Sequence, residues 1–437
     1  MRYALRTRAK GGIVANGTEY LHAEIPEDRD FPAIEKALAE QVGVSDPLRR
    51  AEALRRLLGP ALGRQAAELA ALRARATERF PTGWLRWLTR RGLEQSTREA
   101  VARERARRIL RVAAGCTVFD GTSGLGADAR AVSEMGMTVV AADRDTPVAR
   151  CARANLAGSP SPHVALVADA LAPPLRPDAA LFLVLDPDRR AEGARELDPE
   201  RWSPPLSALL TLAGRFRGAC IKVSPAFDMA GLGLGLADPS RLLAQWVSDR
   251  GDLCEMNLWT GVGAGAEAGL REAVALGPDG SATRLVGVPI PAAARLSEIS
   301  SGNCWLMDPD SAVVRSGLVG NLAREHGLHA VDPHLAYLIG SGPVATPLAK
   351  GWRILDHVPA DARKVRESLT RLGFGPVEVR KRGHSEPAEV LAASFRGRGD
   401  RRGLVAVART EQGHRAFVLE PDRAPRSTTP TLQDPRS

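Results

Sequence analysis

The clearest pattern of apolar and polar positions lies in residues 118–145. A short β-branched and aromatic run ends at Asp120, a loop with three glycines follows, and apolar residues at helical spacing continue to Met135. A second apolar run, residues 138–142, closes on Asp143. This periodicity predicts a strand, a glycine loop, a helix and a second strand.

Three further apolar runs of strand length follow. Residues 164–170 end in an acid and a small residue, residues 180–185 are wholly apolar, and residues 218–224 form another strand-like run. The run at residues 180–185 is of the kind found in parallel strands that are buried on both faces.

Two later runs, residues 253–260 and 271–276, are separated by a loop rich in glycine and alanine, and a turn then starts a return at Ser281. This order predicts an antiparallel hairpin at the edge of the sheet. The fold class is therefore expected to be α/β, with a Rossmann-like, doubly wound, mostly parallel sheet over residues 113–291.

The region before this core, residues 1–112, has apolar residues at helical spacing from about residue 31, which predicts an N-terminal helical subdomain. Residues 80–111 combine many arginines with Trp84 and Trp87. This mixture could contact phosphates and stack on bases. Alternatively, the tryptophans are packing anchors and the arginines form a solvated helix face.

Two local predictions concern helix ends. Ser96 or Thr97 is expected to cap the helix that leads into the first strand of the sheet. Residues 313–328 have apolar residues at helical spacing and predict one helix.

The region after the core, residues 303–421, alternates strand and helix patterns, so we expect a separate small α/β domain there. Its basic triplet, Arg380, Lys381 and Arg382, could hold a phosphate backbone or could be solvated charge. Residues 422–437 have almost no apolar content and are expected to be disordered.

Composition narrows the class of protein. The 437 residues are 44% hydrophobic, no long apolar run is present and the N-terminus does not resemble a signal peptide, so we expect a cytoplasmic protein without a membrane partner. The five cysteines stand singly, without a C-x-x-C pair, so no metal site is expected. A net charge of +9 suits a polyanionic partner, although the arginine content alone could reflect coding bias.

The glycine loop, residues 120–126, reads DGTSGLG. Glycines lack Cβ and allow a ligand to lie against the chain at the carboxyl edge of a parallel sheet. The acid that ends the second strand, Asp143, is placed to accept hydrogen bonds from the two hydroxyls of a ribose. The spacing differs from the G-x-G-x-x-G that binds a dinucleotide pyrophosphate.

This order of residues resembles motif I of the class I S-adenosylmethionine-dependent methyltransferases. The resemblance implies that the loop holds the methionine and ribose end of S-adenosylmethionine, and that the strand end at residues 169–170 edges the adenine. The cofactor-binding residues that it implies are Asp120, Gly121, Thr122, Gly124, Gly126, Asp143, Arg144, Asp169 and Ala170.

The segment that begins Asp186-Pro187 resembles motif IV of the same family, which implies that these two residues orient the methyl acceptor. Family members that methylate exocyclic amines of bases commonly continue with an aromatic residue, which is absent here, so amine methylation is permitted rather than indicated. Arg189 or Arg190 could contact a phosphate or pair with a carboxylate. Trp202, in the loop that follows, could stack on a flat substrate or pack under a lid.

The next strand, residues 218–224, contains Cys220, Lys222 and Ser224. Cys220 lies early in the strand and is expected to be a buried structural cysteine rather than a nucleophile. Lys222 and Ser224 lie nearer the active edge and are further candidates.

The order of a helical lead-in, a core with LDPDRR and a later region with RSGLVGNLA, HAVDPHLAYL and EVRKRG resembles bacterial class I methyltransferases with a THUMP-like domain. The core also resembles the trimethylguanosine-synthase branch. THUMP domains in the wider family bind RNA, chiefly transfer RNA. The resemblance therefore implies an RNA acceptor, with transfer RNA favoured, and places Gln95 beside the cofactor pocket.

Two alternatives stay open. The chain could be a methyltransferase that acts on a protein or a small molecule. It could also be an RNA-binding protein that retains the cofactor but has little catalysis, since the motif IV aromatic is missing.

Overall fold

The computed structural model of the chain describes residues 25–188, 190–191, 194–196, 198–227, 229, 238–294, 304–410 and 413–421. The predictions for Arg189, for the side chain of Arg190 and for the tail at residues 422–437 lie outside the described part.

The chain forms two compact units. Unit one is Met1–Glu272 with Leu276–Ala282, and unit two is Ala273–Ala275 with Thr283–Ser437. The N-terminal helices belong to the same unit as the predicted α/β core. The finer division into an N-terminal region, a catalytic domain and a THUMP-like domain stays a prediction.

In the described part of unit one, from residue 25 onward, five α-helices precede the first strand: α1 Phe31–Glu40, α2 Pro47–Leu58, α3 Pro60–Ala76, α4 Arg90–Gln95 and α5 Glu99–Ala113. Proline within the first turn of α1, α2 and α3 fits a position whose N–H needs no partner. The apolar residues of these helices are buried in a hydrophobic core that also contains residues of the sheet; they include Ile34, Leu54, Leu69 and Leu72. The predicted helical character of this region is confirmed.

Trp84 and Trp87 are also buried in this core, with 8% and 5% of their surface exposed. The Trp87 ring stacks on Phe31 at a centroid distance of 3.8 Å. The two tryptophans are therefore packing anchors, and the alternative of a base-stacking surface was wrong.

The sheet of the core has nine strands in the order β11-β10-β8-β9-β7-β4-β1-β2-β3. These strands and the two-stranded ribbon β5-β6 are β1 Thr117–Asp120, β2 Val139–Asp143, β3 His163–Val167, β4 Leu181–Leu185, β5 Arg190–Ala191, β6 Ala194–Arg195, β7 Gly218–Val223, β8 Leu243–Asp249, β9 Asp252–Gly261, β10 Arg271–Leu276 and β11 Ala282–Gly287.

Strands β3, β2, β1, β4 and β7 are parallel neighbours, whereas β9 runs antiparallel to both β7 and β8. Three helices connect the parallel strands: α6 Ala127–Glu134, α7 Thr146–Leu156 and α8 Leu206–Ala213. The predicted Rossmann-like core with an antiparallel edge is confirmed. Strand β8 was not predicted, because its buried polar residues interrupt the apolar pattern.

Unit two contains a seven-stranded sheet in the order β13-β14-β12-β15-β18-β17-β16. Its elements are β12 Trp305–Pro309, α9 Ser311–Ser316, α10 Val319–His326, β13 His329–Ala330, β14 Leu338–Gly340, β15 Ala349–Pro359, α11 Ala362–Arg371, β16 Phe374–Arg382, α12 Ala388–Phe395, β17 Arg401–Thr410 and β18 Gly413–Leu419.

Strand β17, which lies between β18 and β16, shows how this sheet is stabilised. Leu404 and Ala406 belong to one buried apolar cluster, whereas Val405 and Val407 belong to another. Successive side chains of a strand point to opposite faces, so each face of the sheet is covered by its own core. The predicted small α/β character of this region is confirmed.

Both local predictions of helix ends were wrong. The residue at the N-cap of α5 is Arg98, whose side chain makes no capping hydrogen bond. The Thr97 hydroxyl instead donates to Asp128. Residues 313–328 form two helices rather than one. Gly317, with a left-handed φ of 78°, ends α9 before α10 begins.

Candidate functional site

The carboxyl ends of β1, β2, β3, β4 and β7 lie at one edge of the sheet, which we call the carboxyl edge. The chain runs outward from β1 through β2 to β3 and then returns to β4 on the other side of β1. Ligands of doubly wound sheets bind at such a switch point. An acid ends or follows each of four strands here: Asp120 ends β1, Asp143 ends β2, Asp169 follows β3 and Asp186 follows β4.

Little free space surrounds Gly121, the first residue of the glycine loop after β1. Its N–H donates to the carbonyl of Val184, with an N to O distance of 3.0 Å. A Cβ atom at Gly121 would lie 3.1 Å from Leu185 Cδ2 and 3.2 Å from Ala170 Cβ. Gly124 has a left-handed φ of 53° and open space around its missing Cβ. The loop therefore keeps its backbone close to the strand ends and open toward its outer side.

The Asp143 carboxylate fixes the same loop from the end of β2. Oδ2 accepts from the Gly124 N–H at 3.0 Å, and Oδ1 accepts from the Asp145 N–H at 2.9 Å. Burial raises the pKa of this carboxyl above its ordinary value. Each carboxylate oxygen can accept more than one hydrogen bond, so Asp143 retains capacity for ligand hydroxyls.

Asp120 lies under the loop, with 3% of its surface exposed. Burial, and then the neighbouring charge of Asp128, raise its pKa well above the usual range. Its Oδ2 atom has no hydrogen-bond partner in the described part of the chain. Asp120 therefore shapes the loop from beneath and favours the neutral form.

The adenine side of the predicted site consists of Asp169 and Ala170. Asp169 is exposed and its Oδ1 accepts from the Leu171 N–H at 2.9 Å, while Ala170 is buried against the loop. Arg144, beside Asp143, is exposed and donates to Ser203 Oγ at 3.2 Å. The structure thus brings together the residues that sequence reasoning assigned to the cofactor.

Asp186 connects the glycine loop with β7. Its N–H donates to Thr122 Oγ1 at 2.5 Å. Its Oδ2 lies 2.5 Å from the ammonium group of Lys222, which is 8% exposed in its side chain, whereas the Asp186 side chain is 31% exposed. A buried cation from β7 therefore faces the half-exposed carboxylate that follows β4.

The polar contacts continue inward from Lys222. Its ammonium also donates to Thr97 Oγ1 at 3.2 Å, and the Thr97 hydroxyl donates to Asp128 Oδ2 at 3.1 Å. Asp128 pairs in turn with the buried Arg105, which also pairs with Glu255. Burial alone would lower the pKa of Arg105, but these two carboxylates raise it well above its ordinary value.

The segment after Asp186 is held by backbone and by charge. Asp188 exchanges two backbone hydrogen bonds of 3.0 Å with Ser203, and its carboxylate lies 2.6 Å from an Arg91 nitrogen. Trp202, next to Ser203, is 3% exposed, donates from its indole to the Glu196 carbonyl at 3.1 Å and packs on Phe227. Of the two roles considered for Trp202, packing describes the structure.

Gln95 is exposed at the end of α4, and its side chain is therefore accessible. In unit two, Arg380 and Arg382 pair with Asp308 at 3.7 and 2.6 Å, and they lie over the rings of Trp352 and Tyr337. Lys381 donates to the carbonyl of His384 at 2.9 Å. This triplet is thus bound into its own unit.

Sequence reasoning missed Arg91, Asp128 and the role of Thr97, and it gave Lys222 little weight. The one available signal was a lysine inside an apolar strand run, GACIKV, because a buried charge requires a partner. The spacing between these residues, from Thr97 to Lys222, carries no local pattern.

The described residues contain no cluster of three or more His, Cys, Asp or Glu arranged to hold a metal ion. In the same ranges, no helix is both long and apolar enough to cross a membrane.

A doubly wound sheet with an antiparallel edge, a D-G-x-x-G-x-G loop at its switch point and acids after successive strands define the class I methyltransferase fold. The site also fits S-adenosylmethionine chemically. A Cβ atom at Gly121 would be tightly packed against Leu185 and Ala170, and Asp143 and Asp169 offer acceptors that suit ribose hydroxyls and an adenine amine.

Comparisons with known proteins agree with this fold. Residues 349–421 match the THUMP domain-like family. Two Mycobacterium tuberculosis proteins, from strains CDC 1551 and H37Rv, are each 33% identical over 349 residues, which cover 78% of this chain and 91% of the relative. Both are named uncharacterized S-adenosylmethionine-dependent methyltransferases.

A crystal structure from Porphyromonas gingivalis W83, provisionally named a methyltransferase, has the same fold. It matches with a TM-score of 0.71 at 17% identity, over 90% of this chain and 98% of that one. The chain belongs to the S-adenosylmethionine-dependent methyltransferase family. It is an enzyme of that family, and S-adenosylmethionine is its cofactor.

Proposed function

We propose that this methyltransferase modifies a nucleotide of RNA, with transfer RNA as the favoured substrate, and that the THUMP-like domain docks the RNA. The observation that carries the proposal is the THUMP domain-like match at residues 349–421 in a chain with a methyltransferase core. In the wider family, THUMP domains bind RNA and are joined to catalytic domains of this class.

Charge supports the same partner. The chain has a net charge of +9, which favours association with a polyanion. In unit two, exposed basic side chains surround the parallel strands β16 and β17, where they could contact phosphates. They include Arg366, Arg396, Arg398, Arg402 and Arg409.

We assign the cofactor to the β1–β3 side of the carboxyl edge. In this assignment, the Gly121–Gly126 loop receives the methionine end, Asp143 accepts from the ribose hydroxyls, and Asp169 with Ala170 borders the adenine. The contact between Asp143 and the Gly124 N–H supports this arrangement, because it couples the ribose acceptor to the loop. Arg144 then lies beside the ribose.

We assign the acceptor to the side formed by Asp186 and Pro187. S-adenosylmethionine supplies an electrophilic methyl group, so the protein mainly has to position the acceptor atom. Asp186 is half-exposed, and its backbone N–H donates to Thr122 of the glycine loop, which supports an acceptor position beside the proposed cofactor site. Its carboxylate would accept a hydrogen bond from the acceptor and orient it. Gln95, Arg189 and Arg190 remain proposed substrate contacts.

The test uses the full-length protein, methyl-tritiated S-adenosylmethionine and total RNA from cells that lack the gene. The wild type is expected to label a discrete RNA species. Asp186→Ala should reduce labelling by about 100-fold or more, because the acceptor loses its orienting group. Glu52→Ala, an exposed acid on α2, is the matched control and should label normally.

The same reactions are run with protein and small-molecule fractions of the same cells. Labelling of either fraction without RNA would replace RNA by that acceptor class. Cofactor and RNA binding without labelling of any fraction would instead favour a cofactor-binding RNA-binding protein. In both outcomes the RNA methyltransferase proposal fails.

A further inference from the structure

Lys222 is a charged residue in a strand that is buried along its whole length. Strand β7 lies parallel to β4, and Ile221 is the register partner of Leu185, so Lys222 and Asp186 are the next residues along the two strands. On the other side, Lys222 pairs in register with Asn257 of β9. The lysine is 6% exposed, and burial of a charge is costly unless it is paired.

The hydrogen-bond directions around Lys222 are fixed by chemistry. An ammonium group only donates, so both Asp186 Oδ2 and Thr97 Oγ1 accept from it. The Thr97 hydroxyl has a single hydrogen, and this hydrogen is directed to Asp128 Oδ2. The ammonium is therefore anchored on its inner side by a hydroxyl that cannot turn away without losing its own acceptor.

Asp186 is therefore held at two points, one on its backbone and one on its carboxylate. Thr122 fixes its backbone N–H and Lys222 occupies Oδ2. Within the described residues, Oδ1 has no protein hydrogen bond, and 31% of the side chain is exposed. One oxygen thus faces the protein and the other is left for a ligand.

The charge state of Lys222 agrees with this arrangement. Burial by itself would lower its pKa, but the Asp186 carboxylate and other nearby acids raise it above the ordinary lysine value. Lys222 therefore stays protonated at neutral pH. A protonated lysine can orient a carboxylate but cannot act as a general base.

We propose that Lys222 is a positioning residue for methyl transfer: it holds the Asp186 carboxylate with one oxygen turned toward the acceptor, and Thr97 holds the Lys222 ammonium in place. The inference rests on the proposed role of Asp186 at the acceptor side. It adds to that role a cation from β7 and a hydroxyl from the segment that precedes α5.

The test is a double-mutant cycle in the full-length enzyme with Lys222→Met, Asp186→Asn and the double variant. Initial rates are measured with methyl-tritiated S-adenosylmethionine and total RNA from cells that lack the gene. We expect Lys222→Met to lower kcat by about 10- to 100-fold and to change KM for S-adenosylmethionine by less than about threefold. In the Asp186→Asn background, the same substitution should cost less than about threefold, because the carboxylate charge that Lys222 pairs with is gone.

Lys36→Met, on the exposed side of α1, is the matched control and should leave both constants unchanged. Binding of S-adenosylhomocysteine and thermal unfolding are measured for every variant. Equal losses of kcat with and without Asp186, or a Lys222→Met enzyme with normal kcat, would overturn the inference. So would a loss that appears in KM for S-adenosylmethionine alone.

If Lys222→Met does not fold, Thr97→Val takes its place in the cycle, because it removes the inner anchor and keeps the side-chain shape. Its expected loss of kcat is about 3- to 10-fold, again only when Asp186 is present. Failure of the RNA proposal is recognised separately, in the wild type. If the wild type labels protein or small molecules instead of RNA, the same cycle on that fraction decides the role of Lys222.

Discussion

Apart from Asp169 and Ala170, the proposed cofactor half of the carboxyl edge comes from one short segment, whereas the proposed acceptor half is assembled from distant ones. The loop and Asp143 belong to a single strand, helix and strand unit, and they are joined by a hydrogen bond from the Gly124 N–H to the Asp143 carboxylate. Asp186, Lys222 and Thr97 come from three separate parts of the chain and are joined by side-chain contacts.

This difference separates two ways of building a site. The proposed cofactor half relies on close packing around the backbone of the loop, so cofactor binding should be sensitive to substitutions that add side-chain volume. The proposed acceptor half relies on a buried charge and its partners, so methyl transfer should be sensitive to substitutions that remove a charge or a hydrogen bond. Substitutions in the cofactor half should therefore change the affinity for S-adenosylhomocysteine, whereas substitutions in the acceptor half should change kcat.

The largest effect is expected from Gly121→Val. A side chain at this position would overlap Leu185 and Ala170 and fill the close approach, so affinity for S-adenosylhomocysteine should fall by at least about 100-fold. Isothermal titration calorimetry measures it. Gly136→Asn, at an open left-handed position after α6, is the control and should bind normally. Tight binding by Gly121→Val would show that the loop does not receive the cofactor.

Asp143→Ala should weaken S-adenosylhomocysteine binding by about 10- to 30-fold, because two backbone donors and the proposed ribose hydroxyls lose their acceptor. At saturating S-adenosylmethionine its kcat should remain near that of the wild type. Asp186→Ala should show the opposite pattern, with kcat lowered and affinity retained. Calorimetry and saturation kinetics on both variants test this contrast. If both variants changed affinity and kcat in the same way, the proposed division into a cofactor half and an acceptor half would be wrong.

The double variant Arg398→Gln with Arg402→Gln should weaken RNA binding by about 3- to 10-fold at moderate salt and reduce the salt dependence. Both arginines are exposed in unit two, and affinity for S-adenosylhomocysteine should not change. Filter binding across a salt series provides the measurement. Arg64→Gln, an exposed arginine of α3, is the control of smaller expected effect. A salt slope equal to that of the wild type would place the RNA contacts elsewhere.

The smallest effect concerns stability. The pKa of Asp120 is higher in the folded protein than in the unfolded chain because of burial and Asp128, so the ionised form destabilises the fold. This cost is present above the folded pKa and disappears as pH falls below the unfolded value. Asp120→Asn should therefore raise the melting temperature at pH 8 by a few degrees, on the order of 1 kcal/mol, and by less at pH 5.

Thermal unfolding of Asp120→Asn at both pH values is compared with Asp178→Asn, an exposed acid near β4. Equal shifts for the two variants, or a benefit for Asp120→Asn that grows as pH falls, would contradict the assigned charge state of Asp120.

The elements themselves could be predicted wherever the pattern was local. The apolar runs identified β1 to β4 and β7, and the alternation of strand and helix patterns over residues 303–421 indicated the small α/β character of that region. Prediction failed where tertiary contacts overrode local preference. Gly317 breaks a helical pattern, and β8 contains Gln245 and Ser248, which are buried and hydrogen-bonded instead of apolar.

The sequence by itself determined the class of the protein and led to the proposed cofactor half of its site, because most of those residues lie in a short stretch and so leave a readable spacing. Only the tertiary structure decided that Lys222 faces Asp186 and that Trp84, Trp87 and Trp202 are packed inside. These outcomes depend on which distant side chains share a buried volume, where an unpaired charge or an unfilled space costs free energy. The need to pair buried charges and fill buried space determines which side chains meet, but it produces no regular spacing of residues along the sequence.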